Sequence, residues 1–201
     1  MDENSSTPRP IYTIGYGARA IEDLVAVLKE HQIAFLIDVR SQPYSRYKPE
    51  FAKDALAHRL KQGGVQYVFM GDTLGGRPAD SDCYKDDGRV DYEKYGRKPS
   101  YLEGIERLKR AWQQQLPVVI MCSEGKPENC HRSMLIGVTL QEQGIDAVHI
   151  DENGGLLMQD DIILRSQGGQ LSLFDVHRPT SRKKYKPDSA GSDDGTFADD
   201  D

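Results

Sequence analysis

The stretches LIDVRSQPYSRY (36–47) and MCSEGKPENCHRSM (121–134) hold the residue types that do chemistry. Asp38 closes an apolar run, where a buried carboxylate needs either a partner or a purpose. Arg40 is its nearest partner in sequence, so an ion pair bracing a strand end stands beside a second reading, a rigidly held carboxylate of tuned proton affinity. Pro43, Tyr44, Ser45 and Arg46 follow as a polar, aromatic and cationic loop suited to a phosphate and a sugar or base. In the second stretch Glu124 comes two residues after an apolar run. His131, Arg132 and Ser133 then open a helical pattern whose free N–H groups attract anions, and Arg132 there makes a phosphate seat. Asp38 and Glu124 brought to one crevice would suit glycosidic chemistry, in which one carboxylate stabilises a cationic sugar or the other activates water. Which of the two leads is open at this level.

Cys122, Cys130 and His131 share the second stretch and can be read as metal ligands. Their spacing matches no common zinc pattern and a fourth ligand is missing, so no metal and no cofactor is assigned. A Cys122 nucleophile near a helix start is an alternative; burial is the usual fate of such cysteines. Cys83 receives no role.

The elements that must position these groups are legible from periodicity. IYTIG (11–15), AFLIDVR (34–40), VQYVFMG (65–71), PVVIMC (117–122) and AVHI (147–150) read as strands. Helical patterns run over 19–31, with Ile21, Leu24, Val25 and Leu28 on one stripe, and over 49–62, 99–115 and 130–143. Alternation of helices with strands that are apolar throughout predicts a mostly parallel sheet of about five strands, covered on both faces, in a Rossmann-like three-layer α/β sandwich. In such sheets ligands bind outside the carboxyl ends of the strands. That edge collects Gly15-Tyr16-Gly17, Asp38 to Ser41, Gly71-Asp72, Cys122 to Glu124, and Asp151. Tyr16 is a candidate for stacking on a base, beside the plainer role of a packed turn tyrosine. The turn GYG is neither the dinucleotide fingerprint nor a Walker loop. Residues 75–98 carry no periodic pattern, and are expected to be a substrate-covering flap in preference to plain disorder.

Composition sets the limits. The 201 residues suffice for one domain with a real core, assigned to 11–165. The polar ends, 1–10 and 166–201, are expected to be flexible. Three cysteines make no disulfide framework, and no run has the length to span a bilayer or form a signal-peptide core, so a cytoplasmic location is expected. The net charge of −6 is matched by six Asp in 188–201, while Arg40 to Lys61 holds a local +4 that suits a polyanion.

The motifs TIGYG, DVRSQPYSR, YVFMGDTLGGR and CSEGKPENCHR, in this order over about 11–155, resemble the domain-of-unknown-function family 488. The resemblance implies a compact α/β domain with its site at the edge named above, and activity on nucleic acid, including removal of modified bases. One departure is that the helix after Gly17 opens ARAIED, with no Ser or Thr as a cap. Beyond the domain, QLSLF (170–174) resembles the pentapeptide by which bacterial replication and repair proteins bind the DNA polymerase sliding clamp. Leu173 and Phe174 would fill a groove, with Leu171 beside them and Gln170 supplying amide hydrogen bonds.

Together these give the expectation of a clamp-recruited DNA glycosylase. Asp38 and Glu124 would be catalytic. Tyr16, Arg40, Tyr44, Ser45, Arg46, Asp72, His131 and Arg132 would bind the substrate, whose base would be flipped from the duplex. N6-methyladenine is the candidate base. A hydrolase or transferase of free nucleosides, and a non-enzymatic DNA adaptor, are the alternatives.

Overall fold

The computed structural model describes residues 8–166 and 180–185. Five parallel strands form where the apolar runs predict them: β1 (Ile11–Gly15), β2 (Phe35–Asp38), β3 (Gln66–Phe69), β5 (Val118–Cys122) and β6 (Ala147–Ile150). A sixth strand, β7 (Leu156–Met158), joins antiparallel to β6, giving the order β3-β2-β5-β1-β6-β7. β5 has all five residues buried, as a strand covered on both faces must.

Alternate residues of β5 enter two separate cores. Val119 and Met121 pack with Leu24, Leu28, Leu36, Phe51 and Leu60, which belong largely to α1 (Ile21–Glu30) and α2 (Lys53–Gln62). Val118, Ile120 and Cys122 pack with the opposite layer. That layer is built from α3 (Gly71–Leu74), β4 (Arg89–Asp91), α4 (Tyr92–Gly96), α5 (Pro99–Gln113) and α6 (Val138–Glu142). The protein is a Rossmann-like α/β sandwich. Chain connections leave β1 and β2 toward the first layer and β5 toward the second. β5 lies between β1 and β2, so the loops diverge there and open the place where such sheets bind ligands.

α1 begins without a hydroxyl cap; the Asp23 carboxylate instead reaches back to the Ala20 N–H at 3.4 Å, half of a capping box. The helix expected over 130–143 forms as a π-helical turn, Arg132–Gly137, continuing into α6. Gly137 at its end admits the close approach of α7 (Gln159–Ser166): a Cβ there would stand 2.2 Å from Gln159 Oε1.

Residues 75–98 depart from the alternative of disorder. Cys83, Val90, Tyr92 and Tyr95 from this segment are buried in the second core, and the Tyr95 hydroxyl donates to the carbonyls of Thr73 and Gly75. Within the segment expected to be a disordered tail, β8 (Thr180–Lys184) pairs antiparallel with β4. Neither strand reads as one alone, because each is short and takes its definition from the other. The clamp-like pentapeptide 170–174 lies outside the described residues. Among the described residues no helix is long and apolar enough to cross a membrane.

Candidate active site

The loops after β1 and β5 stay paired beyond the sheet, Tyr16 N–H donating to the Cys122 carbonyl and Gly17 N–H to that of Ser123. Their closeness depends on glycine. A Cβ on Gly15 would fall 1.7 Å from the Glu124 carbonyl oxygen, and Gly17 holds φ +44° with a hypothetical Cβ 2.9 Å from Gly125 Cα. Arg132, fully buried, ties the same loop down: Nη1 donates to the Glu124 carbonyl and Nη2 to that of Gly125 at 3.0 Å. Its guanidinium shapes the loop and is closed to a phosphate.

Asp38 is fully buried at the end of β2. Arg40 grips it through Nη2 to Oδ2 at 2.6 Å and Nε to Oδ1 at 2.9 Å, and the Tyr67 hydroxyl donates to Oδ2 at 2.8 Å. Burial raises the Tyr67 hydroxyl far above its ordinary range, helped by the Asp38 charge. Burial alone would lower the Arg40 guanidinium; hydrogen bonds and charge from Asp38 reverse this and raise it. Arg40 also donates to the Phe51 carbonyl and sits 5.4 Å from the Tyr16 ring centroid. Tyr16 is itself buried and stacked on Phe51 at 4.2 Å. Asp38, Arg40 and Tyr16 thus form the floor of the edge, with Arg40 Nη1 a buried donor left without an acceptor.

The groups that face solvent are others. Tyr44 and Tyr47 are 73% and 77% exposed, with Arg46 exposed between them. Their loop is seated by Lys48, whose N–H donates to Ser45 Oγ and whose ammonium donates to the Arg19 carbonyl at 2.7 Å. Asp72 is exposed, its Oδ1 accepting from Thr73 N–H. The Glu124 carboxylate is 31% exposed and lies 3.6 Å from Arg182 on β8. Tyr47 was not among the residues singled out from sequence; its alternation with Arg46 was the available sign.

Under this rim lies a cluster whose spacing matches no common zinc pattern. Cys122, Cys130 and His131 are all buried, their donor atoms within 4.8 Å of one another. Each sulfur lies 3.8 Å from His131 Nδ1, and His131 Nε2 is 3.2 Å from the Val39 carbonyl. A hydrogen bond from Cys130 holds the Cys122 thiol well below its ordinary range, against the effect of burial and with help from His131 and Arg132. Burial, with Cys122 beside it, pushes Cys130 up. The chain turns back between the two cysteines through a 3-10 turn, Pro127–Asn129, which defeats any motif defined by fixed short spacing.

The class defined by this fold and edge is a Rossmann-like α/β domain with its polar groups gathered at a switch point. The chain belongs to the family described as Domain of unknown function DUF488, whose model matches residues 20–139. The match includes Asp38, Arg40, Tyr44, Glu124 and the cysteine–histidine cluster, and begins after the TIGYG motif. No curated protein and no solved structure matches the chain.

Proposed function

We propose that the protein is a DNA repair hydrolase that cleaves the N-glycosidic bond of a modified or damaged base, with N6-methyladenine as candidate, and that the sliding clamp delivers it through residues 170–174. The observation carrying this reading is the loop 41–50, where two highly exposed tyrosines flank Arg46 beside the divergence of β1, β2 and β5. Exposed rings interleaved with cations are what unstacked bases and their phosphates require.

A base inside a duplex is out of reach of such an edge, so the nucleotide must be extruded. Tyr44 or Tyr47 offers a face to the extruded base, and Arg46 a charge to its phosphate. Of the two carboxylates, Glu124 is the one with access to solvent, so it takes the task of stabilising the developing sugar cation or activating water. Asp38 serves as the brace that fixes Arg40.

Duplexes labelled on one strand and bearing assorted modified bases test this directly. Alkali-labile sites should appear at one modified base with the wild type and disappear with Glu124→Gln. Absence of any abasic product across the panel ends the reading. Delivery is tested separately, by pull-down on the clamp: Leu173→Ala/Phe174→Ala should lose the binding that the wild type shows.

A further inference from the structure

We propose that Cys122, Cys130 and His131 form a binding site for one zinc ion, with a fourth coordination position open. The inference is independent of the base-excision reading and stands on four observations.

The first is convergence. A tetrahedral zinc ion with sulfur at about 2.3 Å and nitrogen at about 2.0 Å sets its ligands about 3.5 to 3.8 Å apart. The two sulfur-to-Nδ1 distances here are 3.8 Å, and all three atoms fall within 4.8 Å of one another. The sulfur-to-nitrogen distances need a shift of only a few tenths of an ångström, and the sulfur pair one of at most about 1 Å, to meet on one ion. The second is the tautomer. A carbonyl oxygen only accepts, so the 3.2 Å contact with Val39 places the imidazole proton on Nε2. The lone pair is thereby fixed on Nδ1, facing both sulfurs, and a backbone carbonyl on the other ring nitrogen is the usual outer support of a metal-bound histidine.

The third is space. A Cβ on Gly76 would stand 2.7 Å from His131 Nδ1 and 3.0 Å from its Cγ, so glycine keeps the approach to that lone pair clear. The fourth is chemistry. Two thiolates and a neutral imidazole are a soft donor set that favours zinc over magnesium or calcium. They cancel the charge of a divalent ion, which burial requires. Cys122, Cys130 and His131 keep 6%, 3% and 8% of their surface, leaving a narrow opening. Three protein ligands with an opening are the pattern of a zinc ion that presents a water or substrate, whereas structural sites close the fourth position with protein.

Full-length protein is stripped with a chelator under reducing conditions, then titrated with zinc against a chromophoric chelator, and separately loaded with cobalt(II). One equivalent of zinc should bind, and cobalt should give thiolate-to-metal charge-transfer bands with the strong visible absorption of a tetrahedral site. Cys122→Ser, Cys130→Ser and His131→Ala should each lose the equivalent, Cys83→Ser should keep it, and Gly76→Ala should weaken it at least tenfold. The wild-type cobalt spectrum needs no variant to fold, so it decides the matter by itself if the substitutions unfold the chain. A wild type that retains no metal, a cobalt spectrum without thiolate bands, or undiminished binding in all three ligand variants overturns the site. Conversion of Cys122 and Cys130 to a disulfide with no zinc uptake also overturns it, leaving a dithiol.

Discussion

Arg40 meets Asp38 on both carboxylate oxygens, with Nη2 2.6 Å from Oδ2 and Nε 2.9 Å from Oδ1, inside a pocket that admits no solvent to the carboxylate. Such a pair owes its geometry to mutual need. Either charge left alone at that depth would be unsupported, so removing one partner costs far more than the pair contributes. Asp38→Asn is therefore expected to destabilise the fold by about 3 to 5 kcal/mol. Urea denaturation should report it as a lower midpoint at unchanged slope. Tyr67→Phe removes a single donor to the same carboxylate and should cost less, about 1.5 to 3 kcal/mol. A stable Asp38→Asn protein that has lost only activity would mean the carboxylate is spent on catalysis and not on the brace.

The Glu124 loop tests the role of Gly15. Its missing Cβ leaves room for a backbone carbonyl, a neighbour that cannot rotate away as a side chain would. Gly15→Ala must move either β1 or the loop held by Arg132, and overpacking of this kind costs about 3 kcal/mol. Gly64→Ala is the contrast, with open space around its Cβ but φ +80°, so its strain is conformational and smaller, about 1 kcal/mol. Thermal melts of the two variants should rank them in that order, and the reverse ranking would show that the loop moves freely.

Exposure separates binding from folding at the tyrosine loop. Tyr44→Ala and Tyr47→Ala remove rings that are mostly in water, so stability should stay within about 0.5 kcal/mol of wild type. Affinity for single-stranded DNA should fall by about 1 to 3 kcal/mol for each ring that stacks on a base. Arg46→Ala should instead weaken binding to every sequence alike and reduce the salt dependence of log K by about one phosphate's worth. Fluorescence anisotropy at two salt concentrations distinguishes the two behaviours. Unchanged affinity in all three variants would remove DNA from this face.

The sheet was legible because burial on both faces leaves its strands mostly apolar, and the central one, Val118–Cys122, wholly so. β7 was not, since its three apolar residues, Leu156–Met158, are too short a run to read as a strand and lie at the sheet edge, only partly covered. The 75–98 segment escaped for a different reason. Its anchors Cys83, Val90, Tyr92 and Tyr95 follow no single period, a strand interval (90 to 92) passing straight into a helical one (92 to 95), and its strand is completed by residues some ninety positions later, Val90 N–H donating to Ser181 Oγ at 2.8 Å. At the site, the edge itself was predictable from strand ends. What each side chain does there was not. Asp38, Arg40 and Arg132 look alike in sequence to groups that meet a ligand, and only burial reveals that they hold the backbone and one another.

His149 offers the clearest dependence of stability on pH. It is fully buried on β6, between the Thr13 hydroxyl at 2.7 Å from Nδ1 and Gln159 Oε1 at 2.7 Å from Nε2. The amide oxygen of Gln159 only accepts, so Nε2 carries the proton and Nδ1 accepts from Thr13, the neutral tautomer with both nitrogens satisfied. Gln159 is held in turn by donating from Nε2 to the Ser133 carbonyl at 3.2 Å. Burial lowers the pKa of His149 to about 4 from an ordinary 6.5, against the Gln159 hydrogen bond and with help from Arg132. Between these values the unfolded chain binds a proton that the folded chain refuses. The stabilisation is therefore complete above pH 6.5 and is lost as pH falls from there through about 4, by up to about 3 kcal/mol in total. Carboxylates also titrate near the lower limit, so the comparison that isolates the histidine is with His149→Asn. That variant should be less stable at neutral pH because it cannot span both partners, yet it should lose less on acidification from pH 6.5 to 4.5. Parallel stability curves for the two proteins over that range would show that the imidazole takes up its proton without opening the fold.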